Sequence, residues 1–279
     1  MQIKSSSFGA LLIAFFAYLA LSLQWTPAGA ANILAVQTIP GKSHWSVLRA
    51  LLRALTDRGH TVTVFTPFLD GDRDGYTEVD ISGNLEMRVE LNVSVLVGIQ
   101  STPTLITYIV NKTRTSCATV FEHPRMREIF DSRSLVFDVV VTEALWMDCV
   151  SYAATVLHIP AIYLVPSPIV THSERLFFGH VPHPAAVSNV LFRRGAPKTF
   201  SDRFANTLHL VYSSWLLWRE EQRQRQIKPL PYDAVDLVKP SLTFTNTHFI
   251  TEPSRPLSPD IVQIGGIHLT PPGSIPKVQ

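Results

Sequence analysis

Residues 33–60 read ILAVQTIPGKSHWSVLRALLRALTDRGH, and the change of periodicity inside them decides the fold. The first four, Ile33 to Val36, are an uninterrupted apolar run, as expected of a parallel strand buried on both faces. Pro40 and Gly41 break that pattern, after which Val47, Leu48, Leu51, Leu52 and Leu55 recur at helical spacing. Arg58-Gly59-His60 closes the helix with basic charge and a glycine stop. TVTVFT, residues 61–66, begins a second strand at once. Strand, helix and strand in this order make a βαβ unit, which sets the class as α/β: a Rossmann-like, doubly wound parallel sheet. His44 stands where the first strand hands over to the helix, on the carboxyl edge of the sheet, where ligands bind in such folds.

A phosphate-binding loop is excluded on the same residues. Gly41-Lys42-Ser43 ends like one, but the position five residues before Gly41 is Val36, not the glycine the motif needs. No GxGxxG follows the strand. Downstream, residues 84–91 supply a weaker third strand. Residues 102–121 form a long helix with Leu105, Ile106, Ile109, Thr113, Cys117 and Val120 on its apolar face, and residues 124–130 a shorter one. FDVVVTE, residues 137–143, is a buried strand ending on a carboxylate, followed by a helix over 144–157 and a strand over 159–165. Residues 199–225 read as an amphipathic helix with Phe204, Leu208, Val211, Trp215 and Trp218 on its apolar side, and SLTFTN, residues 241–246, as a further strand.

With strands in the order 3-2-1-4-5, the first and fourth are neighbours across the switch point. His44 and Glu143 then share one rim, and Asp148, about one helical turn further along, reaches the same place. A histidine beside a carboxylate is what a general base requires, because the carboxylate fixes the tautomer and stabilises the imidazolium that forms. The competing reading has Glu143 capping the next helix and His44 bonding nearby backbone. A hydrolase is disfavoured, since there is no GxSxG elbow. DGDRDG, residues 70–75, imitates the start of a calcium loop, but its twelfth place is Ile81 instead of glutamate. His172, His180 and His183 lack ligand spacing, so no metal is expected. Cys117 and Cys149 either form a disulfide in an oxidising lumen or stay as two buried thiols. Asn92-Val93-Ser94 and Asn111-Lys112-Thr113 are glycosylation sequons.

Those sequons gain meaning from the start of the chain. Lys4, an apolar stretch over residues 10–23 and the small-residue ending Ala28-Gly29-Ala30 describe a secretory signal over residues 1–30, cleaved before Ala31. The mature domain, residues 31–260, is long enough for one large α/β core. Lys and Arg number 24 against 22 Asp and Glu, a net charge of +2 spread thinly, so nothing marks a nucleic-acid partner.

Taken together, several of these segments resemble the N-terminal half of a UDP-glycosyltransferase of the membrane-bound animal type, most similar to insect members. The residues that carry the resemblance are Pro40-Gly41-Lys42-Ser43-His44, Leu52 with Arg58-Gly59-His60-Thr61-Val62-Thr63, the strand Phe137 to Glu143, and SLTFTNTHF from Ser241 with Pro253, Pro256 and Ile264-Gly265-Gly266-Ile267-His268. They span residues 32–269. The resemblance implies the acceptor-binding domain of a GT-B fold. It implies inverting transfer of a hexosyl group from UDP-glucose or UDP-glucuronate to the hydroxyl of a small lipophilic acceptor, a detoxification-type conjugation, with His44 as base and Glu143 or Asp148 orienting it. The family often has aspartate where Glu143 stands. Ser43, Leu105, Tyr108, Pro166, Phe177 and Phe178 are the expected acceptor-binding residues. No cofactor is expected to be tightly bound, and the UDP-sugar co-substrate belongs to a C-terminal domain. Residues 261–279 read as the start of the interdomain linker, with that domain and its transmembrane anchor lying outside this chain, which is expected to be inactive alone. The resemblance places the protein in the endoplasmic reticulum lumen, membrane-bound only through the anchor and secreted if short, and allows homo- or hetero-oligomers with full-length relatives. The alternative is a lumenal lipophile-binding or regulatory partner of such enzymes.

Overall fold

Strand β1 (Asn32–Val36) is followed by α1 (Lys42–Thr56), β2 (Thr61–Thr66), β3 (Tyr76–Asp80), α2 (Thr102–Phe121), α3 (Pro124–Asp131), β4 (Val139–Glu143), α4 (Tyr152–Leu157), β5 (Ala161–Val165), α5 (Phe200–Ile227), β6 (Leu242–Thr245) and β7 (Ile261–Gln263). The computed structural model describes residues 29–84, 101–132, 135–144, 149–167, 177–179, 183–188, 196–248, 250, 255 and 257–270. Among these residues one sheet has the order β3-β2-β1-β4-β5-β6-β7, and every neighbouring pair is parallel. The sheet lies in a compact unit spanning Ala31–Gln279.

The apolar run of β1 is continuous because both faces of the strand are covered. Leu34 and Val36 point into one core with Phe65, Val140 and Tyr163 and with Val120, Met126, Ile129 and Ala153 from α2, α3 and α4. Ile33 and Ala35 point into the other, against Trp45, Leu48, Leu51 and Leu52 of α1. Each strand residue is committed to one face by the two-residue period of the backbone. Cys117 of α2 and Cys149, just before α4, form a disulfide within the first core, with Cα atoms 6.2 Å apart.

Four expectations are corrected. The third strand is Tyr76–Asp80, and Asn84 lies in a 3-10 turn, while residues 85–91 fall outside the described residues. The strand escaped notice because it is an edge: Tyr76 is buried, but Thr77 and Asp80 face solvent, so the apolar signal is faint. Of the helix expected over 144–157, Ala144 instead prolongs the sheet ladder, its N–H donating to the Leu164 carbonyl (2.9 Å), residues 145–148 fall outside the described residues, and α4 runs from Tyr152 to Leu157. The sheet also runs past the boundary expected at residue 260, since β7 pairs with β6. Finally, α5 packs on α2 through Leu217, next to Ile106 and Val110, and buries Asn206 and Ser213. Phe204, Leu208, Val211, Trp215 and Trp218 are exposed. Periodicity found the stripe but could not say which side meets the protein. A buried amide decides it: Asn206 Nδ2 donates to the carbonyls of Pro184 (2.6 Å) and Val187 (2.8 Å).

Candidate active site at the carboxyl edge of the sheet

Strands β1 and β4 are in register with Val36 beside Thr142, so the turn after β1 and the last residue of β4 meet at the carboxyl edge. That turn enters α1 at Gly41, and His44 sits in the helix's first turn. His44 Nδ1 contacts Glu143 Oε1 directly. The carboxylate's other oxygen, Oε2, accepts the Ile39 N–H at 3.3 Å, and the Thr38 hydroxyl donates to the Glu143 carbonyl at 3.3 Å. Glu143 is thus held by β1's own turn. Its side chain is 2% exposed, whereas that of His44 is 22% exposed and remains reachable from solvent.

The geometry fixes the imidazole's chemistry. With Nδ1 turned to the carboxylate, the neutral ring carries its proton there and keeps the lone pair on Nε2. Burial works against the imidazolium, but the Glu143 charge and its hydrogen bond outweigh burial and hold His44 above its ordinary value. Gly41 has a separate role. Its φ of −109° is open to any residue, but a Cβ there would lie 3.3 Å from His44 Cδ2, so the ring rests against a residue without a side chain.

Sequence reasoning missed the polar net beneath this turn. Gln37 is 1% exposed. Its Nε2 donates to the carbonyls of Ile39 (3.0 Å) and Gly41 (3.3 Å), and its Oε1 accepts the Thr66 hydroxyl at 2.7 Å. The Phe68 N–H in turn donates to Thr66 Oγ1 (3.1 Å). Gln37 therefore clamps the histidine-bearing turn to the end of β2. The available signal was a glutamine directly after an apolar strand, where solvent should have been expected.

The other expected site residues are scattered. Ser43 is exposed beside His44 in the first turn of α1. Asp148 lies outside the described residues, as do Asn92 and His172. Tyr108, with Pro103, Thr104 and Thr107, lines an open concavity of about 340 Å³ on α2. Leu105 does not line it and packs against the cluster of Ile106, Val110 and Leu217. Pro166 is buried at the end of β5, where its carbonyl accepts Asn246 Nδ2 at 2.9 Å. Phe177 and Phe178 do not wall that concavity: both are in the main core, and Phe177 meets Tyr163 edge-on. Asn111 is exposed but sits within α2, and Thr113 of its sequon is buried, its hydroxyl bonded to the carbonyls of Ile109 and Val110 (both 3.0 Å). The sequon is therefore not the surface loop expected. Among the described residues no three His, Cys, Asp or Glu side chains converge as metal ligands would.

Comparison with known proteins bears on this edge. The chain is 28% identical to UDP-glucosyltransferase 2 of Dactylopius coccus, over 96% of this chain and 53% of that one. It is 26% identical to UDP-glucuronosyltransferase 2A3 of Cavia porcellus, over 84% of this chain and 49% of that protein. The chain spans about half the length of the curated relatives it matches. Among solved structures it resembles the glycosyltransferase SnogD from Streptomyces nogalater, at 15% identity and a TM-score of 0.40 over 89% of this chain and 55% of that one, too loose a likeness to bear on function. The family profile described as UDP-glucoronosyl and UDP-glucosyl transferase matches residues 33–278, which takes in His44, Glu143 and the sheet itself, and the chain belongs to that family.

Proposed function

We propose that this chain is the acceptor-binding half of an inverting glycosyltransferase, in which His44 is the general base toward a small lipophilic alcohol or phenol. The observation that carries the reading is the contact of His44 Nδ1 with Glu143 at the switch point of the sheet. Nε2 takes the proton from the acceptor hydroxyl, and the oxygen forms a bond to the anomeric carbon of a UDP-hexose. The bond from that carbon to the UDP oxygen breaks on the opposite face, and UDP leaves with its electron pair. Glu143 stabilises the imidazolium formed in this step and never takes up the proton itself. Family membership supports UDP-glucose or UDP-glucuronate as donor, held by the half of the relatives that lies outside the match. Ser43, exposed one residue before His44 in the same helical turn, supports an acceptor approaching from that side.

The test is UDP-sugar-dependent conjugation of a panel of phenols and steroids by the full-length gene product, wild type against His44→Gln. We expect kcat to fall by about 100- to 10,000-fold with acceptor binding nearly unchanged. Turnover at the wild-type rate would reject the assignment. Saturable acceptor binding with no donor-dependent turnover in the wild type would favour a lipophile-binding protein instead.

A further inference from the structure

The outward face of α5 is apolar over most of its length, and no described residue covers it. Phe200, Phe204, Leu208, Val211, Trp215 and Trp218 are between 48% and 82% exposed. They recur three and four residues apart, so they form one stripe about 27 Å long. The stripe lies roughly opposite the side that buries Asn206, Ser213 and Leu217 against the rest of the unit. Aromatic side chains carry about 150–250 Å² each, so these six residues present on the order of 700 Å² of surface. The largest apolar patch of an ordinary monomer is about 300–600 Å². A face of that size marks an interaction site.

Charge and composition say which. Lys198, Arg203, Arg219 and Arg223 are exposed along α5 and its approach, while Asp202, Glu220 and Glu221 are all half-buried. Asp202 closes the capping box with Thr199, and Glu220 is held by Arg223 (2.7 Å). The charge that meets solvent beside the stripe is therefore basic. Arg219 lies over the Trp215 ring, 5.5 Å from its centroid, and sets a cation at the stripe's border. A second copy of the helix would fill such a seam best with Leu, Ile and Val, whose size suits the holes of a facing helix. Four of the six residues here are Phe or Trp, and Tyr212 flanks them at 45% exposed. Tryptophan and tyrosine beside arginine is the composition of a membrane–water boundary.

We propose that α5 lies in the surface of an anionic lipid bilayer, its axis parallel to the membrane and its outward face among the headgroups and upper acyl chains. No helix among the described residues is long and apolar enough to cross a membrane, and this mode of binding needs none. The inference is independent of the role given to His44.

The experiment uses the compact unit from Ala31 to Gln279, so that the apolar segment over residues 10–23 cannot itself enter the vesicles and Trp45, Trp146, Trp215 and Trp218 emit. Vesicles contain phosphatidylcholine with brominated chains and about one-third phosphatidylserine. Emission should be quenched on mixing, and most of the quenching should vanish when Trp215→Phe and Trp218→Phe are added. In flotation, Phe204→Ser with Trp215→Ser and Trp218→Ser should weaken binding about tenfold or more, as should omission of phosphatidylserine. These side chains are exposed, so the variants keep the fold. Quenching that survives loss of both tryptophans, or equal flotation of the serine variant, overturns the proposal. So does a dimer, dissolved by the same serines, that binds no vesicles; the face would then belong to a second copy.

Discussion

At the scale of single residues, the protonation of His44 depends on one carboxylate. Burial alone would depress the imidazole, and the Glu143 charge and hydrogen bond reverse that direction. A base with a raised value is idle in acid and becomes competent as pH rises through that value. In the full-length protein, the acidic limb of kcat/KM should therefore lie above the ordinary histidine value of about 6.5. Glu143→Gln keeps the shape and the contact but removes the charge. It should move the limb to lower pH and cut turnover by about 10- to 1,000-fold, since the imidazolium formed in the reaction loses its partner. A pH–rate series on the two proteins decides the matter. A limb that stays in place would mean that another group titrates. The Glu143 side chain is held in place because its second oxygen accepts the Ile39 N–H.

At the scale of elements, the exit from the sheet depends on a glycine. A Cβ on Gly265 would come within 2.5 Å of the Thr247 carbonyl oxygen, which also accepts the Gly265 N–H at 3.2 Å. The next residue, Gly266, holds a φ of +86° and donates its N–H to Asn246 Oδ1 at 3.3 Å. Gly265→Ala should destabilise by about 1–3 kcal/mol, which lowers Tm by about 2–4 °C per kcal/mol in a unit of this size. Gly83, with nothing within 4 Å of its Cβ position, is the control, and its alanine variant should melt like wild type. Equal melting of the two variants would remove the close approach as the reason for that glycine. The same scale shows what the sequence could disclose. β1, β4 and β5 were legible because parallel strands covered on both faces carry apolar runs, and β2 because the β-branched TVTVFT follows directly on the helix stop. β3 was not, because an edge strand keeps polar residues and its signal blends into the turn before it. For α5 the period was legible but the facing was not, because facing is set by the bonds of Asn206 and by Ile106 and Val110 of α2, which meet Leu217 from more than 100 positions away in sequence. At the site, Glu143 could be placed from strand order alone, whereas Gln37 and Thr66 meet 29 residues apart, by contacts no local pattern encodes.

At the scale of the molecule, the role proposed for His44 would set stability and activity in opposite directions. His44 and Glu143 are 99 positions apart, so their contact exists only in the folded state and is lost when the sheet opens. A group whose folded value is raised contributes stability that is fully present below its unfolded value, about 6.5, and disappears as pH rises through the folded one. With His44 as the proposed base, turnover should be gained across the same interval, because only the neutral ring accepts a proton. The protein is therefore expected to gain competence as it gives up stabilisation, the usual tension where a site is held ready for chemistry. Asp233 does not mask the effect. Burial would raise Asp233, but the Arg114 guanidinium, bonded to both carboxylate oxygens at 2.6 and 2.9 Å, holds it below its ordinary value. Its contribution is lost as pH falls through that depressed value, well below the interval in which His44 titrates. Melting temperatures of wild type and His44→Gln, measured from about pH 5.5 to 8.5, should differ most at the acidic end, with wild type the more stable, and converge as pH rises. A difference that is flat across this range, or that grows with pH, would show that the imidazole is not held above its ordinary value. The base assigned to His44 would then titrate at lower pH, and the acidic limb of activity would move down with it.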